Sequence, residues 1–372
     1  MSANRTHLWK AIKPYWRGFL ILLVPISLFL TYLAALRPDV TEAVFSRSVY
    51  KWLCEVLGRV SGAIPASIAE ILLYFLIVTL VVAALVFIFR LIFREQRKQR
   101  LLRALANVAG CAGVAVFLFT IFCGLNYHRI TFAEQSGLDV HPSSQQELSL
   151  LYEELVGEVN ALRPLVAEDE MGVMALGQTP ATVAERAPAA YAALEQDYPV
   201  LGGFTPLPKP VQASRGLSYL DISGIYIPYT FEGNVNIDMP DYAIPFSMMH
   251  ELAHFKGFMR EDEANFIAYL ACLETSDIAY LYSGKLLALI YTGNALYAVN
   301  PSLYAEIAAE LDSRVWLDLQ AASAYWSQFE GPLAETSNQI NEHYLQANAQ
   351  ADGLRSYGRM VDLLLADYRS RH

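Results

Sequence analysis

The first third of the chain consists of long apolar runs separated by basic segments. One run without a charge spans about 18–36, and two further apolar runs span about 71–93 and about 105–125. Each is close to the ~20 residues that an α-helix needs to cross a bilayer. The pattern predicts three membrane-spanning helices within a membrane domain of residues 1–126. A cleaved signal peptide is the alternative for the first run, but its apolar core normally has only ~7–15 residues, so we expect an uncleaved anchor.

The pattern changes in residues 127–372, which are long enough for one domain with its own core. Apolar residues recur at helical spacing in about 144–166, and an Ala-rich helix is predicted for about 180–196. Short β-rich runs broken by Gly and Pro occupy 211–238, and the rest is helical. The sequence therefore predicts a mainly α fold: three transmembrane helices, then a mostly helical α+β domain with a small sheet.

Two segments allow two interpretations each. Residues 37–66 have helical apolar spacing and mixed charge, which fits either an amphipathic helix at the membrane surface or an ordinary loop helix. Residues 276–299 are apolar enough for a fourth span. Asp277, Lys285 and several Tyr residues favour a buried core helix instead.

The charge distribution predicts the orientation. The N-terminal segment and the loop around 90–103 are strongly basic, so the positive-inside rule assigns both to the cytoplasm and residues 127–372 to the extracytoplasmic side of the cell membrane. Residues 1–126 carry 14 basic and 5 acidic residues, or +9, whereas residues 127–372 carry 13 basic and 32 acidic residues, or −19. An acidic domain disfavours a nucleic-acid partner.

Candidate chemistry is concentrated in one predicted helix. His250, Glu251 and His254 form a His-Glu-x-x-His motif, in which the two His residues share one helical face and can hold one metal ion, usually Zn²⁺. Glu251 lies beside the first His and can reach a metal-bound water as a general base. The four cysteines show no zinc-knuckle spacing, so the ligands would be His and carboxylate. The alternative is a structural or accidental His pair.

A catalytic zinc site usually has a third protein ligand. The next predicted helix opens with Glu261, Asp262 and Glu263, and a short turn would bring it back to the motif. Acidic residues in a first turn also suit the helix dipole, which alone could explain all three. We expect Glu263 to be the ligand, because it shares a face with Ile267 and Leu270; Glu261 is the rival.

Several short motifs carry a family resemblance. They are Gly224-Ile225-Tyr226, Asn234-Val235-Asn236, His250-Glu251-Leu252-Ala253-His254, Glu261-Asp262-Glu263-Ala264-Asn265 and Ser356-Tyr357-Gly358-Arg359. Together they resemble an uncharacterised bacterial family of multi-pass membrane proteins, and the resemblance covers nearly the whole chain. It implies membrane association but no established activity.

The helix and the following Glu also resemble the gluzincin metallopeptidases. That resemblance implies a zincin-like fold for the mostly helical α+β domain, with His250, His254 and Glu263 as zinc ligands and Glu251 as the base. Many gluzincins have an Asp four residues after the ligand Glu, where Ile267 stands here, so the partner that orients the first His is unidentified. The group that stabilises the oxyanion is also open, with four candidates: Tyr219, Tyr229, Arg260 and Tyr282.

Three functions are compatible with these observations. The leading hypothesis is a membrane-anchored zinc metallopeptidase, with a peptide or protein substrate that the strands in 211–238 could bind along an edge. Those strands could equally be a hairpin that only covers the core. The second hypothesis is a non-catalytic membrane protein that binds a partner, with a structural metal or none. The third is zinc-dependent hydrolysis of another component of the cell envelope.

Overall fold

Three long apolar helices begin the structure, a computed structural model that describes residues 13–93, 97–350 and 353–372. They are α1 (Leu23–Leu36, preceded by 3-10 turns from Lys13), α2 (Ile68–Phe93) and α3 (Arg97–Phe122). The stretches long and apolar enough to cross a membrane are Trp16–Leu36, Ile68–Arg90 and Arg97–Phe122. The three predicted spans are therefore confirmed as helices. Part of the basic evidence for their orientation, at Arg5, Lys10 and Arg94, lies outside the described residues.

Helices α1 and α3 run parallel and approach each other closely at two glycines of α3. A Cβ on Gly110 would lie 2.2 Å from the carbonyl oxygen of Arg17, and a Cβ on Gly113 would lie 2.2 Å from that of Leu20. Any side chain there would push the helices apart. Glycine at these two positions thus fixes the register of α1 against α3.

Residues 38–62, here called the connecting segment, lie between α1 and α2. The segment is helical throughout, with π-helical turns at Thr41–Tyr50 and Cys54–Gly58. Tyr50 and Cys54 are buried, and they donate hydrogen bonds to the carbonyl oxygens of His254 (3.4 Å) and Phe255 (3.3 Å). The segment is therefore packed into the core beside the predicted metal-binding helix.

The rest of the chain is a helical domain. Among the described residues it has nine helices of eight or more residues: α4 (Gln145–Leu162), α5 (Ala187–Asp197), α6 (Ala243–Phe255), α7 (Glu261–Leu273), α8 (Ile278–Val299), α9 (Pro301–Ala308), α10 (Ser313–Ser327), α11 (Pro332–Ala347) and α12 (Met360–Arg371). Shorter helices span Phe132–Ser136, Pro180–Ala184 and Ser214–Ser218. The α8 helix buries Tyr280, Tyr282, Leu286 and Leu289, as expected for a core helix.

A small sheet lies against α6. Its strands are β1 (Lys209–Pro210), β2 (Gly224–Ile227) and β3 (Glu232–Val235), in the order β1-β3-β2. β3 pairs parallel to β1 and antiparallel to β2. The predicted sheet is confirmed, but the β-rich runs expected over 211–238 do not include Ser214–Ser218, which is a helix. Short apolar runs fit both structures, and here the Ser214 hydroxyl accepts the N–H of Ile237 and fixes the helix against the chain after β3.

The sheet is fastened to the start of α2 by a buried carboxylate. Glu232 accepts the backbone N–H groups of Ile68 (3.2 Å) and Ala69 (2.9 Å), and it also pairs with Lys209. The first N–H groups of a helix lack intrahelical partners and carry partial positive charge, so an anionic acceptor is favourable there. The helical domain thus sits directly on the N-terminal end of α2.

A second buried ion pair links the connecting segment to the turn after α6. Arg129 makes two hydrogen bonds to Glu42, of 2.9 and 2.8 Å, and donates to the carbonyl oxygen of Lys256 at 3.3 Å. Its guanidinium lies 3.9 Å from the ring centroid of Phe258. Both charged side chains are almost fully buried, at 3% and 4% exposed. Removal of Glu42 would leave the Arg129 charge without its carboxylate partner in a low dielectric, whereas Glu42 has a second partner in Arg47 at 3.0 Å.

We therefore predict that Glu42→Ala destabilises the protein by about 3–5 kcal/mol, because it leaves the buried Arg129 charge without its carboxylate partner. Thermal unfolding in detergent measures this. Glu55→Ala is the matched control, since Glu55 pairs with Arg59 on the surface (46% and 60% exposed), and it should cost less than about 0.5 kcal/mol. Equal effects of the two substitutions would contradict the structural role of the buried pair.

Candidate metal centre

The His-Glu-x-x-His motif lies in α6, which is buried along almost its whole length. His250 and His254 are one turn apart on the same face, with ring centroids 4.7 Å apart. Helix α6 ends at Phe255, and Gly257 follows with a φ of +89°, a backbone conformation that favours glycine. A Cβ there would also lie 2.9 Å from the ring of Tyr50. Gly257 therefore lets the chain turn sharply, so that α7 returns beside the motif.

Each imidazole is held through its Nδ1 atom. His250 Nδ1 lies 2.8 Å from Asn265 Oδ1, and His254 Nδ1 lies 2.8 Å from the carbonyl oxygen of Phe258. Because a carbonyl oxygen only accepts, each Nδ1 donates its proton, and Nε2 is the nitrogen that faces the site and can take a metal ion or a second proton. This is the arrangement that metal-ligating histidines usually have.

Glu261, the first residue of α7, faces both free nitrogens. Its Oε2 lies 3.2 Å from His250 Nε2 and 3.6 Å from His254 Nε2. The three side chains offer one ligand atom each within 4.8 Å of one another. Two neutral imidazoles and a carboxylate form a donor set that suits Zn²⁺ and other first-row divalent metals.

The electrostatics of this cluster favour a cation. Burial alone would lower the pKa of His254, but the neighbouring Glu261 carboxylate raises it to about 9. Burial alone would raise the pKa of Glu261, but the imidazoles of His254 and His250 lower it to about 2. The group therefore attracts one positive charge, and either a proton or a metal ion can supply it.

Glu263, the predicted third ligand, is not part of the cluster. Its carboxylate accepts the backbone N–H of Phe132 at 2.8 Å, and burial raises its pKa to about 7. The structure brings Glu261 to the imidazoles instead. The prediction relied on the face that Glu263 shares with Ile267 and Leu270, but all residues of the first turns of α7 are buried, so an inward face did not discriminate between them.

The position of Glu261 also identifies the partner of the first His. Counted from Glu261, the fourth residue is Asn265, and this side chain orients His250. Counted from Glu263, the predicted ligand, the fourth residue is Ile267, whose side chain cannot accept a hydrogen bond. The signal was present as a Glu-x-x-x-Asn spacing, which places both side chains on one face of α7.

Glu251 lies on α6 directly below the sheet, and two glycines make room for it. A Cβ on Gly233 would lie 2.8 Å from the Glu251 Cβ, and a Cβ on Gly224 would lie 2.4 Å from Oε1. The backbone N–H of Tyr226 donates to the Glu251 carboxylate, while burial raises its pKa to about 7. Its Oε2 has no hydrogen-bond partner among the described residues. One buried carboxylate oxygen of Glu251 is thus left without a protein partner in the described part of the chain, at the base of the cleft.

A cleft of about 700 Å³ opens over His250, Glu251, His254 and Glu261. One wall is β2 and the turn after it, and the opposite wall is α11. The end of α3 closes a third side. Residues of these three elements that line the cleft include Phe119, Cys123, Ile225, Tyr229, Ile340 and Tyr344.

Only one of the four side chains suggested for oxyanion stabilisation lines the cleft, namely Tyr229. The other three are engaged elsewhere: Tyr219 packs on Phe329, Tyr282 donates to Asp318 and Arg260 pairs with Asp262. Two further tyrosines, Tyr127 and Tyr344, line the cleft with their hydroxyls 2.8 Å apart. No local sequence pattern links these two tyrosines, because they are more than 200 residues apart.

Three apolar helices followed by a helical domain with this His, His and Glu cluster define a membrane protein with a candidate metal centre. The chain belongs to a family described as "protein of unknown function (DUF3810)", whose model matches residues 45–365. This agrees with the predicted resemblance to an uncharacterised family. No curated protein and no solved structure matches the chain.

The geometry predicts how metal affinity responds to substitution. Asn265→Ala should weaken zinc binding about 10–100-fold, the usual effect of losing a partner that orients a ligand, and Glu261→Ala should weaken it further. Glu263→Gln is the control, and it should leave the affinity unchanged. Competition with a chromophoric zinc chelator measures all three. A greater loss for Glu263→Gln than for Glu261→Ala would restore Glu263 as the ligand.

Proposed function

We propose that the chain is a membrane-anchored zinc metallopeptidase in which His250, His254 and Glu261 hold Zn²⁺. The observation that carries the proposal is the convergence of the two free Nε2 atoms on the buried Glu261 carboxylate, with Glu251 beside them. Three protein ligands are typical of catalytic zinc sites, which keep one position for water or substrate. The cleft above the cluster has room for both.

Zinc, when bound, would acidify a water and polarise the carbonyl of the bond to be cut. Glu251 then acts as the general base. It follows His250 in the helix, its side chain lines the cleft, and its Oε2 is free of hydrogen-bond partners among the described residues. In this position it takes a proton from the attacking water and delivers it to the leaving amine.

An extended peptide fits the open edge of β2. The N–H of Asn236 donates to the carbonyl oxygen of Ser223 at 2.9 Å, so Ser223, Ile225 and Ile227 exchange hydrogen bonds with β3. The alternate residues Gly224 and Tyr226 direct their backbone groups away from β3, along the cleft. The Tyr226 N–H is already bonded to Glu251, so the edge that remains consists of the Gly224 backbone groups and the Tyr226 carbonyl. Edge groups of this kind next to the metal centre favour a polypeptide substrate bound by strand addition.

The proposed class is gluzincin-like, since two His residues on one helix and a Glu on the next act as ligands. The chain differs from many gluzincins in having Asn265, an amide, where they have a carboxylate four residues after the ligand Glu. An amide oxygen still accepts the His250 Nδ1 proton but adds no negative charge to the site.

We also propose that the helical domain is extracytoplasmic. The domain contacts the C-terminal ends of α1 and α3 and the N-terminal end of α2. The basic residues Arg97, Lys98, Arg100 and Arg103 occupy the opposite end of α3. The positive-inside rule assigns that end to the cytoplasm.

Glu251→Gln tests the catalytic role. The variant should keep its zinc, because Glu251 is not a ligand, and should lose about 10²–10⁴-fold in peptide hydrolysis, because an amide cannot accept the proton. Zinc content and hydrolysis are measured on the same preparation. A cellular phenotype that survives Glu251→Gln but not Glu261→Ala would favour the alternative, a partner-binding protein with a structural metal.

Cysteine labelling in intact cells tests the orientation. In a Cys111→Ser background, Met171→Cys places a thiol at a side chain that is 76% exposed in the helical domain. A membrane-impermeant maleimide should label it without lysis. Lys98→Cys, at the other end of α3, should be labelled only after lysis, and the reverse pattern would contradict the proposed topology.

A further inference from the structure

The candidate active site is built partly from a membrane-spanning helix. Phe119 belongs to α3 and Cys123 follows directly after it, and both line the same cleft as His250 and Glu251. Both positions lie at the end of a helix that is apolar enough to cross a bilayer. The cleft therefore adjoins the bilayer rather than lying at the far side of the helical domain.

The turn after β2 reaches deeper along the same helix. The Tyr229 hydroxyl donates to the carbonyl oxygen of Ala115 at 3.1 Å. Ala115 is seven residues before the end of α3 at Phe122, which is about 10 Å along the axis at ~1.5 Å per residue. The wall of the cleft formed by β2 thus descends beside α3 to a level within the span.

The register of α1 against α3 gives an independent measure of where the cleft lies relative to the bilayer. The close approach of Gly110 to Arg17 and of Gly113 to Leu20 sets a parallel register of α1 and α3. In that register, the end of α1 at Leu36 lies beyond Cys123 and contacts the Gly124–His128 turn. The final turns of α1 remain apolar and exposed: Leu28, Phe29, Leu33 and Leu36. A bilayer that covers these side chains extends past the level of Phe119 and Cys123.

The side chains at the rim of the cleft are also of the kinds found at a membrane boundary. Ile225, Tyr229 and Ile340 line the cleft and are 38%, 49% and 66% exposed. Apolar and tyrosine side chains of this kind are favoured at the boundary between hydrocarbon and water. The backbone edge of β2 at Gly224 and the Tyr226 carbonyl, which lies between them, suits an extended polypeptide rather than an acyl chain.

From these observations we infer that the substrate is a polypeptide anchored by its own transmembrane helix, cut within a few residues of the membrane boundary. The inference rests on the proposed peptidase function. The substrate's anchor would lie in the bilayer beside α3, and its extended segment would pair with β2 as it leaves the membrane. Anchoring would also raise the effective substrate concentration at the cleft.

The position of the cleft is tested without any activity. A spin label at Ile225→Cys, in a Cys111→Ser background in lipid nanodiscs, should be more accessible to molecular oxygen than to a water-soluble nickel complex. A label at Met171→Cys is the control and should show the reverse. If both labels prefer the nickel complex, the cleft stands in water and the inference fails.

The substrate class is tested with zinc-loaded protein in proteoliposomes. Single-span reporters carry a randomised eight-residue window either directly after the membrane helix or 25 residues away, and the same windows are supplied as free peptides. Cleavage of the juxtamembrane window should be at least about tenfold faster than that of the other two. The Glu251→Gln protein should cleave none.

The failures of the two proposals are distinguishable. Equal cleavage of all three forms would overturn the membrane-anchored class and keep the peptidase function. No cleavage of any form would overturn the peptidase function and the substrate class with it. Release of fatty acid or headgroup from the vesicle phospholipid, without peptide cleavage, would instead identify a lipid substrate.

Discussion

The structure depends on a cluster of ionisable groups that cannot be buried separately. Two imidazoles on α6 and the Glu261 carboxylate on α7 lie in the protein interior, where an isolated charge is costly. Their mutual attraction offsets that cost, and it requires the two helices to keep a fixed distance and register. Gly257 makes the turn between the helices possible, and Asn265 uses the next turn of α7 to hold His250.

The fixed geometry of this cluster also constrains the sheet and the contacts between the sheet and the membrane-spanning helices. Glu251 lies under β2 and β3, so Gly224 and Gly233 must lack side chains. The sheet is in turn fixed to the start of α2 through Glu232, and its β2–β3 turn contacts α3 through Tyr229. A displacement of the spans would therefore be transmitted to the cleft. The matched family region, residues 45–365, includes α2, α3, the sheet and the candidate site.

Features with a local signature could be predicted from the sequence, while features that depend on long-range packing could not. The three spans, the small sheet and the His pair each follow from a pattern within one element. The connecting segment was ambiguous, because its burial depends on contacts with α6, about 200 residues later. Glu263 was preferred to Glu261 because the apolar pattern of α7 does not reveal that both faces of its first turn are buried. The cleft tyrosines Tyr127 and Tyr344 come from separate elements and belong to no local motif.

The central claim is that His250, His254 and Glu261 together bind one zinc ion. Anomalous diffraction at the zinc edge, from crystals of the full-length protein grown with zinc, tests it most directly. We predict one anomalous peak at about 2.0–2.2 Å from both Nε2 atoms and from a Glu261 carboxylate oxygen. A peak bonded to Glu263, or no peak between the two imidazoles, would contradict it.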